Sequence, residues 1–258
     1  MGIDYSTVTE LPGNRVTHEQ LARMYHRYRF VADYCGKKEV LEVACGAGQG
    51  LGYLARSASR VVGGDCTEKL VQSAREYYKD RVELYHLDAH QLPFKEKSFD
   101  IVILYEALYY LAEPETFFQE AYRVLREGGM LLIASANKDW PEFNPSPLST
   151  HYFSVPELGH LLQSKGFKVE FYGAFSAVPK TVKEKIIATI RKCAIALHLV
   201  PKTMKGKEFL KKIFYGKLLP LKAEIEEGMC EYVPPVPIPS HIPNFEYKVI
   251  YALAKVME

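Results

Sequence analysis

Long apolar runs are what this sequence lacks. None approaches the roughly 20 residues needed to cross a bilayer, and the opening MGIDYSTVTELPGNR holds no apolar core of signal-peptide length. The expectation is a cytoplasmic protein. Cysteine is also scarce. Cys35, Cys45, Cys66, Cys193 and Cys230 form an odd set without a CxxC or a Cys/His cluster. Neither a disulfide framework nor a zinc site is suggested, so free thiols and no bound metal are expected. The net charge is only +2, but its distribution is uneven. Between Lys180 and Lys222 twelve Lys/Arg stand against Glu184 and Glu208, giving +10 there and −8 on the remainder. Such segregation marks a unit with its own partner or an acidic face to cover.

The composition is that of an ordinary globular chain: 258 residues, 48% hydrophobic and 25% charged, enough for one sizeable core and a small appendage. Apolar, β-branched runs occur at 39–44, 60–65, 81–88, 99–108, 130–136, 168–175 and 245–256. Helical patterns separate most of them. In PETFFQEAYRVLREGG, Pro114 suits a first turn, Phe117, Phe118, Ala121, Val124 and Leu125 make one apolar face, and Gly128 and Gly129 are read as the stop. A second helix is read at 155–167. Strands alternating with helices predict an α/β fold, a Rossmann-like, doubly wound and mostly parallel sheet of seven strands. The last two strands lack the usual crossover and should pair antiparallel. Residues 1–175 and 244–258 then form one domain. Residues 176–243 become a basic, mostly helical insertion, with KEKIIATIRKCAIALHL as its helix and YVPPVPIPSHIP as an extended return.

The stretch VLEVACGAGQG joins a strand to a glycine-rich turn, where backbone approaches a ligand closely. Phosphate is the usual ligand of such turns, but Glu42 would repel it. Gly46, Gly48 and Gly50 are spaced GxGxG, and Leu51 breaks the GxGxxG of dinucleotide folds. An acid beside the turn instead suits a ligand with an ammonium and no phosphate, the charge pattern of S-adenosylmethionine. Asp65 ends the next strand 23 residues beyond Glu42, close to the roughly 20 expected for an acid that reads a ribose across one βαβ unit. Asp65 could also cap a helix starting near Thr67.

On these blocks the sequence resembles the class I S-adenosylmethionine-dependent methyltransferases, especially the type 11 group, over about residues 20–175 and the final strand. VLEVACGAGQG resembles the glycine-rich first motif, VVGGDC the second strand with its ribose-binding acid, and LDAHQLPF the adenine block. SFDIVILYEALYYL and RVLREGGMLLIA resemble the fourth and fifth strand blocks. Five blocks in order make the match specific. The resemblance implies S-adenosylmethionine as cofactor and S-adenosylhomocysteine as product. It implies cofactor contacts at Glu42, Ala44, Cys45, Gly46 and Gly48, Asp65 and Cys66, Asp88 and Ala89, and Tyr105. MYHRYRF resembles the segment that packs over the cofactor, with Tyr28 as cap and Arg27 or Arg29 as carboxylate partner. Ala44 departs from the family's first glycine, and close approach survives there if its φ is negative.

Methyl transfer is an in-line displacement at a sulfonium carbon and needs a general base only when the nucleophile is a hydroxyl. His151, on the loop after the fifth strand block, and Glu106, just past the fourth, are the candidates for catalysis, whereas His86 and His90 read as structural. The function expected is methylation of a small molecule at oxygen, on a sugar, lipid-linked or secondary-metabolite acceptor that the basic segment would suit if anionic. An RNA methyltransferase using the +10 segment as a phosphate footprint is the alternative, with a non-catalytic S-adenosylmethionine-binding protein as a third. The basic residues interleave with Ile, Leu and Phe, which also suits peripheral membrane contact at 180–222 or a homodimer interface.

Overall fold

The computed structural model describes residues 4–178, 189–190 and 218–257. In chain order it comprises β1 (Arg15–Val16), α1 (His18–Ala32), β2 (Glu39–Val43), α2 (Leu51–Leu54), β3 (Arg60–Asp65), α3 (Glu68–Tyr78), β4 (Glu83–His86), β5 (Phe99–Tyr105), α4 (Pro114–Val124), β6 (Leu125–Ala136), α5 (Val155–Ser164), β7 (Phe167–Ser176), β8 (Leu219–Pro220), β9 (Val236–Ile238) and β10 (Tyr247–Val256). The seven apolar runs of the sequence all become strands. The main sheet has the order β4-β3-β2-β5-β6-β10-β7-β9. β2 to β6 pair in parallel, and β10 runs antiparallel between β6 and β7.

An eighth strand, β9, extends the sheet beyond the seven expected. The proline-rich return lays three residues antiparallel along the outer side of β7, with Pro237 opposite Tyr172. An edge is where a proline can join a sheet, because its missing N–H removes no ladder bond there. A second difference concerns α4, which stops at Val124 rather than at the glycines. Leu125 has an extended conformation and is in register with Phe99, so strand pairing takes the chain away from helix before Gly128 is reached.

Strand side chains alternate between two cores. Val40, Ile101, Ile103, Leu132, Ala134, Val249 and Tyr251 pack toward α1, α2 and α3. Leu41, Val102, Leu104, Leu131, Ile133, Ile250 and Ala252 pack toward α4 and α5. This two-sided burial explains the near-continuous apolar runs. The helices start at defined caps. Thr17 with Gln20 and Ser154 with Glu157 each form a capping box, satisfying backbone donors at the first turns of α1 and α5.

The expected helix at 183–199 lies outside the described residues, apart from Thr189 and Ile190. Within 176–243, residues 219–227 pack back on the N-terminal part of the chain. β8 pairs antiparallel with β1, the Ile225 N–H donates to the Gln49 carbonyl at 2.9 Å, and the Tyr25 and Tyr53 hydroxyls both donate to Glu227. No described helix is long and apolar enough to cross a membrane.

Candidate active site

The strand order reverses between β2 and β5, and in such sheets ligands bind outside the carboxyl ends of the strands at that point. A cavity of about 380 Å³ lies there. Tyr28, Glu42, Ala44, Cys45, Gly46, Asp65, Cys66, Asp88, Ala89, Tyr105 and Glu106 all line it.

β2 carries Glu42 into the interior, where the side chain is 1% exposed. Its Oε1 accepts from the Tyr28 hydroxyl at 2.5 Å, and its Oε2 has no partner among the described residues. Burial pushes the carboxyl up to about 7, against the Tyr28 bond and the Arg27 charge, which pull it down. The turn that follows needs left-handed backbone. Ala44 has φ 57°, Gly46 59° and Gly48 78°. The condition set from sequence for close approach at Ala44, a negative φ, is not met. An alanine there accepts the strain of a conformation that glycine adopts freely.

Asp65 ties this turn to the end of β3. Its Oδ2 accepts from the Gly46 N–H at 2.9 Å and its Oδ1 from the Thr67 N–H at 2.8 Å. Burial raises its pKa, and these two N–H bonds oppose the rise. The Thr67 bond is the helix-start contact considered from sequence, yet each oxygen keeps a further lone pair for a ligand. Gly48 is not on the cavity. A Cβ on it would meet Leu51 and Tyr78 at 3.0–3.1 Å, so it lets α3 pack against the turn. Gly50 is tighter, since its Cβ would fall 1.8 Å from the Tyr28 ring.

At the far side, Asp88 Oδ1 accepts from the His90 backbone N–H at 2.9 Å and lies 2.6 Å from Nδ1 of the same residue. The His90 Nε2 accepts from the Glu113 N–H at 3.3 Å, which places the ring proton on Nδ1, facing Asp88. The His90 backbone bond is the main cause holding the Asp88 carboxyl below its ordinary value. Glu106 stands at φ 53°, with its N–H on the Ala134 carbonyl at 2.7 Å. Its Oε2 accepts from the Tyr109 hydroxyl at 3.0 Å, and its Oε1 lies 3.4 Å from Arg27 Nη1. Non-glycine residues held in this region concentrate at functional sites.

His151 is exposed, stacks edge-on against Phe153 at 4.5 Å and does not line the cavity. Arg29 points elsewhere too, to Asp33 and the Tyr232 ring. Sequence reading missed Tyr5, Val8 and Thr9, which come from an N-terminal segment laid over the cavity, and also Arg23, Gln49, Tyr109, Tyr110 and Ser146. Only the Tyr109–Tyr110 pair gave a signal, two aromatics directly after a buried strand.

These residues fit S-adenosylmethionine. The buried oxygen of Glu42 suits an ammonium, the Asp65 oxygens suit paired hydroxyls, and Arg27 lies within electrostatic reach of Glu42, where an amino acid's carboxylate would sit beside its ammonium. Glu42 and Asp65 beside the glycine turn disfavour a pyrophosphate there.

Residues 41–133 match the family model described as methyltransferase domain. Those residues form a methyltransferase domain of the class I S-adenosylmethionine-dependent kind. Over 158 residues it is 34% identical to a Mycolicibacterium smegmatis protein named probable S-adenosylmethionine-dependent methyltransferase, covering 57% of this chain and 60% of that one. Over 148 residues it is 36% identical to a fatty-acid O-methyltransferase of the same organism, covering 55% and 52%. The chain thus spans little more than half the length of these relatives. In fold, the chain is similar to the YcgJ protein of Bacillus subtilis, with a TM-score of 0.60 at 16% identity over 91% of this chain and 99% of that one.

Proposed function

We propose that this chain transfers a methyl group from S-adenosylmethionine to an oxygen of a small-molecule acceptor with a large apolar part, the lipid-linked class among those expected from sequence. The observation that carries the cofactor reading is the buried, half-unpartnered Glu42 beside the glycine turn. In this reading Glu42 receives the ammonium, Arg27 the carboxylate and Asp65 the ribose hydroxyls. Asp88 and the Ala89 N–H receive the adenine, and Tyr28 closes over Glu42. When bound, the cofactor supplies an electrophilic methyl on a sulfonium.

The chain's remaining task is to align an acceptor and accept its proton. Met24, Tyr109, Tyr110 and Leu111 provide an apolar wall for the acceptor. Glu106 takes the proton of an acceptor hydroxyl on its carboxylate, oriented by Arg27 and Tyr109. His151 has no role in this scheme. The name of the fatty-acid O-methyltransferase relative supports both oxygen and a lipid. The test is a screen of hydroxylated and carboxylated lipids with methyl-labelled cofactor, on the parent and on Glu106→Gln. Turnover of a hydroxyl acceptor should fall about 10²- to 10⁴-fold in the variant, with S-adenosylhomocysteine affinity retained. Full turnover in Glu106→Gln would remove the base from the scheme.

A further inference from the structure

One helical turn before Arg27, α1 brings a second guanidinium, Arg23, to the same cavity. The two cations have different neighbours. Arg27 is the more buried, 13% against 24% exposed. It is set against Glu106, with Glu10 and Glu42 within electrostatic range. Arg23 sits among aromatics, its guanidinium carbon 5.6 Å from the centre of the Phe175 ring and 5.8 Å from that of Trp140. Its Nη2 donates to Glu19 at 2.5 Å. Glu19 also accepts from Lys248 Nζ, at 3.0 and 3.1 Å on its two oxygens. Two cations therefore share one carboxylate, and the group keeps a surplus positive charge. The aromatic faces hold the planar guanidinium in one orientation. Its Nε is buried with no acceptor among the described residues, so Glu19 uses only part of its donor capacity.

We propose that Arg23 reads an anionic group, a carboxylate or a phosphate monoester, on an amphiphilic acceptor. The inference rests on the methyltransferase reading and narrows its acceptor class. An ammonium at Glu42 places the cofactor's own carboxylate within reach of Arg27, which leaves Arg23 for a second anion. Two guanidiniums one turn apart then serve two ligands, and the apolar wall between Met24 and Tyr110 takes the acceptor's chain.

Trp140 is the only tryptophan of the sequence, and its place beside Arg23 makes its fluorescence a direct reporter. Protein saturated with S-adenosylhomocysteine is titrated with decanoate, decyl phosphate and decanol. Decanoate or decyl phosphate should bind at least about tenfold tighter than decanol, the scale of one charge-assisted hydrogen bond, and the better of the two identifies the anion. Arg23→Gln should bring the three probes to equal affinity while calorimetric affinity for S-adenosylhomocysteine stays at the parental level. Arg23→Lys, which keeps the charge without the fork, should retain part of the preference and shows that loss in the glutamine variant is not loss of fold. Equal binding of all three probes by the parent, or an undiminished anion preference in Arg23→Gln, would overturn the proposal. Failure of the parent to bind S-adenosylhomocysteine at all would count against the cofactor reading instead, and is measured first.

Discussion

Glu42 has one carboxylate oxygen under the Tyr28 hydroxyl and the other without a described partner. Its folded pKa, about 7, stands above the ordinary 4.5. A carboxyl raised in this way favours the fold when protonated. The contribution is complete below about 4.5 and is lost as pH rises through about 7, a total on the order of 3 kcal/mol. Glu42→Gln carries no such charge, so its melting temperature relative to the parent should rise between pH 5 and pH 8 in the absence of ligand. Cofactor binding has the opposite sign. An ammonium needs the ionised carboxylate, so parental affinity for S-adenosylhomocysteine should weaken by up to about tenfold for each pH unit below 7, and Glu42→Gln should flatten that part of the profile. Calorimetry in buffers of different ionisation enthalpy should show proton release on binding near neutral pH. A flat affinity profile in the parent, indistinguishable from that of Glu42→Gln, would show that Glu42 does not meet the ammonium. The sequence displayed the charge of this residue beside the turn, which was enough to argue against phosphate. It could not display the Tyr28 hydroxyl above it, nor the left-handed backbone at Ala44, because both depend on how α1 and β3 close on the turn.

At the scale of elements, the joint between α1 and the turn leading into α2 is the tightest in the site. The Tyr28 ring occupies the space that a side chain at Gly50 would need, with Cε1, Cζ and Cδ1 at 1.8, 2.1 and 2.3 Å from the ideal Cβ position. Tyr28 is buried between Glu42 and Tyr105, so its ring has little freedom to give way. Gly50→Ala should therefore push α1 off the turn, cost about 1–3 kcal/mol or more in stability and separate Tyr28 from Glu42. The checks are a thermal melt and an S-adenosylhomocysteine titration, and the expected signature is a larger loss in the titration than Tyr28→Phe causes. A variant that melts and binds like the parent would mean that the joint is loose. Elements of this kind were legible to different degrees. The parallel strands could be read because each is buried on both faces and carries an unbroken apolar run. The end of α4 could not, because Leu125 satisfies a helix's apolar face and a strand's equally well, and only the pairing with Phe99 decides between them. The segment from Tyr5 to Glu10 has no periodicity to read, although it walls the cavity.

Across the whole molecule, the sequence places +10 between Lys180 and Lys222 and −8 on the remainder, and Glu42, Asp65, Asp88 and Glu106 line the one cavity described in detail. The lining by Glu42, Ala44, Cys45, Gly46, Asp65, Asp88 and Ala89 was legible from ordered blocks, since each block holds its residue types at a fixed spacing along a strand and the turn after it. The rest of the lining was not, since Arg23, Tyr109 and Ser146 reach the cavity from separate elements with no common spacing. The segregated charge leads to one more prediction, independent of the cofactor. Most of the basic segment lies outside the described residues. Lysines interleaved with Ile, Leu and Phe suit an anionic lipid surface, where each is worth about 1 kcal/mol close to the headgroups. Replacing Lys202, Lys205, Lys207, Lys211 and Lys212 together with Gln removes five positive charges from the segment and leaves the residues of the cavity untouched. Sedimentation with phosphatidylglycerol-containing vesicles should fall at least about tenfold in the variant. The loss should be greatest at low salt and shrink above roughly 0.1 M, where the screening length is near 10 Å. Affinity for S-adenosylhomocysteine should not change. Vesicle binding equal to the parent's at low salt would assign the +10 segment to something other than a lipid surface.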